Sequence, residues 1–134
     1  MTEGSDVGML FYTGTAPATA QEYRDRPEQP AIWDRSQNTS FMFCAQIASL
    51  EQMLKTPSGV AAPGYDEVYI DPPVFRAFLL AAFDFLRRSG SLPLRRMMIG
   101  VLQTALFLDA RASGEPLPIP PRFADIEQGL EDIT

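Results

Sequence analysis

Three carboxylates, Asp66, Glu67 and Asp71, stand within one short stretch, YDEVYIDPPVFRAF, residues 65–78. Grouped acids can hold a hard cation through oxygen or move a proton. The spacing here argues for neither. Asp66 and Glu67 are adjacent, so on a strand they point to opposite faces and cannot share one ion. No EF-hand loop spacing is present. Asp71 stands directly before Pro72, which is how a helix starts with a carboxylate at N-cap and proline at the first helical position. The expectation is that Asp71 caps a helix and that Asp66 and Glu67 are solvated turn residues.

The residue inventory excludes much other chemistry. Histidine is absent and Cys44 is the single cysteine. Ser-His-Asp and Cys-His catalysis and His-ligated zinc are therefore ruled out, and so are thiolate metal clusters within one chain. The sequence predicts no metal and no cofactor. Cys44 has no visible activator and reads as a buried, inert thiol. Met97 and Met98 read as core packing.

Two further groups could bind something. The segment RRSGSLPLRR places Arg87, Arg88, Arg95 and Arg96 around one turn between helices. The first pair suits the end of a helix, where the macrodipole favours cations; the second pair lies in a first turn, where it does not. Four guanidiniums there could hold a phosphate or carboxylate, receive an acidic arm of the same chain, or form a solvated rim. Trp33, Asp34 and Tyr69 are the candidates to line a pocket. Trp33 could equally anchor the chain where it enters the first long helix.

The elements that must position these residues follow from periodicity. A helix is predicted over 40–55, capped by Asn38, Thr39 or Ser40, with Phe43, Ile47, Leu50 and Leu54 on one stripe. A second runs over 72–88 and ends near Gly90, and a third runs from Ser91 or Leu92 to 112; together they form a helical hairpin. EVYI (67–70), MLFYTG (9–14) and AIW (31–33) read as short strands. TAPATAQEYRDRPEQP between the last two reads as a loop, mobile or laid across the body. EPLPIPPR (115–122) reads as an extended proline-rich segment, followed by a short acidic helix over 123–132. The fold class is mainly α: a three-helix core with a helical hairpin, a small sheet of short strands, and extended arms at both ends. A single domain spans 1–134, with an acidic N-terminal arm at 1–32, a helical core at 33–114 and a proline-rich acidic C-terminal arm at 115–134.

Phe41, Leu80 and Phe107 fall outside the core stripes of their helices. Helices apolar nearly all round in so small a domain need a second cover, either the arms or another chain. Residues 37–114 hold six acids and seven bases, a net +1, whereas residues 115–134 hold five acids and one arginine, a net −4. The C-terminal arm is therefore expected to lie on the body near the four arginines, held more by Leu117, Ile119, Phe123, Ile126, Leu130 and Ile133 than by charge.

The run from IWDRSQNTS through LKTPSG and YDEVYIDPPVFRAF to LPLRRMMIGVLQTALFLDARA resembles a small family of uncharacterised actinobacterial proteins over residues 31–112. Trp33, Asp66, Glu67, Ile70, Asp71 and Phe75 occupy the family's motif positions. The acidic N-terminal arm and the PLPIPPR tail depart from the pattern. The resemblance implies a bacterial, cytosolic, mainly helical domain, with no activity to transfer.

The net charge of −6 argues against nucleic-acid binding. The acidic start without an apolar segment argues against a secretory leader, and no apolar run is long enough to span a bilayer. The expected compartment is the cytoplasm. The leading expectation is a non-catalytic interaction or accessory protein, a homo-oligomer or one with a protein partner. The alternative is a small pathway enzyme or ligand-binding protein of bacterial secondary metabolism, with a small apolar ligand between its helices. A third reading is an immunity or antitoxin-like protein that masks a basic partner.

Overall fold

The computed structural model describes residues 8–64 and 66–128. A four-stranded mixed sheet lies against a layer of three long helices, in the strand order β2-β1-β4-β3. Strand β1, Gly8–Thr13, pairs antiparallel with β2, Trp33–Ser36, and parallel with β4, Glu67–Ile70. The two-residue β3, Val60–Ala61, closes the far edge against β4. The helices are α1, Ala20–Asp25; α2, Gln37–Leu54; α3, Pro72–Ser89; and α4, Leu92–Ser113. A 3-10 turn, Pro121–Phe123, leads into α5, Ala124–Gln128.

Register divides the sheet into two faces. Phe11 stands opposite Trp33 on one side and Val68 on the other, so these three share the helix-facing side, with Ile70 two residues on. Phe11, Val68 and Ile70 have no exposed surface. Leu10, opposite Asp34 and Glu67, and Tyr12, opposite Tyr69, occupy the second face. That face is covered in part by Arg26, which reaches Glu67 from the segment after α1.

The helices bury the stripes that their spacing requires. Phe43, Ile47 and Leu50 of α2 are buried, as are Phe75, Phe78, Leu79, Phe83 and Leu86 of α3 and Met98, Val101, Leu102, Leu106 and Leu108 of α4. The α3–α4 hairpin turns at Gly90, whose φ of 67° is the left-handed stop glycine accepts. Arg76 of α3 ties the hairpin by donating to both oxygens of the buried Asp109 of α4. It also donates to the carbonyl of Glu115, where the C-terminal arm begins. Gly59 is needed for packing as well as for its φ of +78°: a Cβ there would lie 2.9 Å from Val74 Cβ. Its carbonyl accepts the N–H of Asp71 at 3.0 Å, which seats β3 on the β4–α3 junction.

Several expectations need correction. Within the segment expected as an N-terminal arm, β1 is an interior strand, and the stretch expected as a loop contains α1, capped by Thr19 accepting from the N–H of Glu22. The first long helix starts three residues earlier than expected because Ser36, the last residue of β2, caps it by accepting from the N–H of Thr39. Asp71 occupies the N-cap position of α3, but its side chain makes no capping bond. Part of the C-terminal helix predicted over 123–132 lies outside the described residues, together with Leu130 and Ile133.

Candidate functional site

The carboxylates separate into unlike environments. Asp66 is exposed and adopts a left-handed φ of 60°, its side chain accepting from Gln37. Asp71 is a backbone junction. Glu67 is not a solvated turn residue: it is 5% exposed and both of its oxygens are engaged. Arg26 Nη2 donates to Oε2 at 2.7 Å, and the Tyr69 hydroxyl donates to Oε1 at 2.6 Å. Burial, then the bond to Glu67, pushes the Tyr69 hydroxyl up to about 12. Burial also raises Tyr12, whose ring lies 5.7 Å from that of Tyr69. A raised tyrosine is a poorer base at neutral pH. The cluster works as a latch that fastens the segment after α1 across the second face of the sheet. Sequence alternation could have revealed it, because Glu67 and Tyr69 share one face of a strand whose other face is wholly apolar.

The pocket candidates do not form one group. Trp33 faces the helices, packing at 5.1 Å on Phe11, 6.4 Å on Phe43 and 6.1 Å on Phe107 between ring centroids. Asp34 and Tyr69 stand on the opposite face. Phe107 does not stand free: it is half-buried against Trp33, and the Arg111 guanidinium lies 4.6 Å over its ring.

The four arginines are divided among partners. Arg87 and Arg88 pair with Asp84 in their own helix at 2.6 and 3.0 Å, which holds the Asp84 carboxyl below its ordinary range. Among the described residues, Arg95 alone of the four meets the C-terminal arm, donating to Asp125 at 2.7 Å and to the carbonyl of Arg122, with its guanidinium 5.0 Å over Phe123. Arg96 is exposed. The arm is held mainly by apolar burial of Leu117, Phe123 and Ile126.

Among the described residues, no three Cys, Asp or Glu side chains gather where they could hold a metal ion. Cys44 is half-buried, and burial raises its thiol. No helix of the described residues is long and apolar enough to cross a membrane.

The most distinctive surface is the outer side of α2. Its ten exposed positions run from Gln37 to Gln52 and carry no charge. Phe41 is 70% exposed and Met42 55%. Across a groove stands Met97 of α4, also 70% exposed, with Gly100 one turn on. Met97 is thus not core packing as expected; adjacent helical residues lie about 100° apart, and Met98 takes the inward position. The groove holds cavities of about 490 and 210 Å³ that share Gln46 and Val101 as lining. Leu80 of α3 is 51% exposed and, like Phe41, lines neither cavity; unlike Phe41, it stands on a helix that lines neither.

The model of a family of unknown function, DUF6086, matches residues 22–130. The chain belongs to DUF6086. The DUF6086 span takes in α2, the Glu67–Tyr69 pair, the α3–α4 hairpin and the proline-rich segment 115–122, which the sequence reading sets apart as a departure. Strand β1 falls outside it. No curated protein and no solved structure matches the chain.

Proposed function

We propose that this DUF6086 protein is a non-catalytic interaction module that works as a homodimer, pairing through α2 and the adjoining edge of α4. The observation that carries this reading is the charge-free outer surface of α2. Roughly a quarter to a third of an ordinary soluble surface is charged, yet none of these ten exposed positions is. Interface centres are depleted in charge and enriched in aromatic residues and methionine, and Phe41, Met42 and Met97 supply those types.

A second copy is the occupant that charge favours. In a two-fold interface the same patch meets itself, so any charge near the axis faces its own like. A chain of net charge −6 repels its copy over most of its surface. The α2 face escapes that repulsion. With 55–70% of each still exposed, burying Phe41, Met42 and Met97 would each contribute about 1–2 kcal/mol. The non-catalytic part of the reading is supported by the engaged oxygens of Glu67 and the raised Tyr69.

The test is sedimentation velocity over a concentration series, with Met97→Lys and Phe41→Lys beside the parent chain. The parent should approach twice 14.9 kDa, and each lysine variant should move toward the monomer with unchanged circular dichroism. A parent chain that stays monomeric throughout would overturn the proposal.

A further inference from the structure

On the far side of Trp33 from the α2–α4 groove, a cleft of about 340 Å³ opens between the edge strand β2 and the end of α4. Its volume lies at the lower end of the range for small-molecule sites. Ala31, Ile32, Trp33 and Phe107 supply its apolar lining. Two guanidiniums border it. Arg35 lies 5.0 Å over the Trp33 ring, and Arg111 lies 4.6 Å over Phe107 while donating to the carbonyl of Ile32 at 2.9 Å. Among the described residues Arg111 makes no ion pair. Asp34 also lines the cleft, but strand alternation turns its carboxylate to the other face, where its Oδ1 lies close to Gly8. Apart from Asp34, the side chains that line the cleft are apolar (Ala31, Ile32), aromatic or cationic, in a chain that is acidic overall.

We propose that this cleft binds a small planar carboxylate, an aromatic or heteroaromatic acid. The guanidiniums of Arg35 and Arg111, each stacked on an aromatic ring, present planar cationic faces on which a flat ring can lie, and their forks match a carboxylate's two oxygens. Planarity separates this class from phosphate, which has the charge but no face to stack. The inference stands apart from the dimer reading, because it uses a different cleft and a different readout.

Trp33 is the single tryptophan of the chain and lines both this cleft and the 490 Å³ cavity, so its fluorescence reports binding and the Arg111 variants assign it to this cleft. The experiment titrates benzoate, acetate and inorganic phosphate into the full chain at one fixed protein concentration, which keeps any self-association constant. Benzoate is expected to change Trp33 emission saturably. Acetate and phosphate should bind at least about tenfold more weakly, as should benzoate to Arg111→Gln, each tenfold corresponding to one decade in Kd. Arg111→Lys, which keeps the charge and loses the fork, should also weaken binding. Circular dichroism checks that both variants fold. No saturable response to benzoate, an undiminished response in both folded variants, or phosphate binding as tightly as benzoate would overturn the proposal.

Discussion

Phe123→Ala should destabilise the protein far more than Asp125→Ala, although both residues fasten the same C-terminal arm. Phe123 has no exposed surface; its ring lies 5.3 Å from that of Phe83 and beneath the Arg95 guanidinium. Removing a buried phenylalanine costs about 3–5 kcal/mol. The Arg95–Asp125 pair is partly exposed, at 24% and 55%, and such pairs contribute about 0–1 kcal/mol. Leu117 and Ile126 are buried beside Phe123 in one core. At about 1.5–3 kcal/mol for each buried apolar side chain, these three supply roughly 5–9 kcal/mol before the entropy of ordering the arm is subtracted. That is comparable with the whole stability of a domain, about 5–15 kcal/mol. A chain ending at Gly114 should therefore lose cooperative unfolding. The assay is urea denaturation of both variants and the truncation, at low and high salt. The reasoning fails if Asp125→Ala costs as much as Phe123→Ala, if Phe123→Ala costs less than about 1 kcal/mol, or if the truncation melts like the parent.

Two more outcomes follow from individual side chains. Asp71→Ala should cost less than the roughly 0.5–2 kcal/mol expected of Ser91→Ala, because the Ser91 hydroxyl accepts from the N–H of Leu94 while the Asp71 side chain caps nothing; chemical denaturation of the two variants decides it. Spectrophotometric titration should find a tyrosine near pH 12 that Tyr69→Phe removes. Because the folded value lies above the unfolded one of about 10, the stabilisation is complete below pH 10 and is lost as pH rises from there toward 12. Stability should fall over that window, and fall less in Tyr69→Phe.

The parts of the fold set by local signals were legible in the sequence. Pro72, Gly90 and Gly114 punctuate α3 and α4 within a residue or two of their expected ends, and the apolar spacing of α2 gave its buried stripe. What depended on partners distant in the chain was not. Strand β1 gains its interior position from pairing with β4 more than fifty residues away. Glu67 read as solvated because Arg26, which neutralises it, lies 41 positions earlier, and no local pattern links them. Asp71 stood where a cap belongs, but residue type and position do not fix a rotamer. Trp33 and Asp34 were grouped with Tyr69 before the register of β2 and β4 showed which face each takes. The charge-free surface of α2 is visible in the sequence itself, since Glu51 is the only charged residue between Arg35 and Lys55.

The claim that α2 and α4 form the dimer face is tested most directly by methyl NMR of the methionines during dilution. Met42 and Met97 lie on the proposed face and are exposed, whereas Met9, on β1, is packed against the core and lines neither cavity of the groove. As the sedimenting mass falls with dilution, the Met42 and Met97 methyl resonances should shift together along the same binding curve while Met9 stays fixed. Methyl resonances that stay unchanged at every concentration, or a mass that falls while only Met9 moves, would contradict the account.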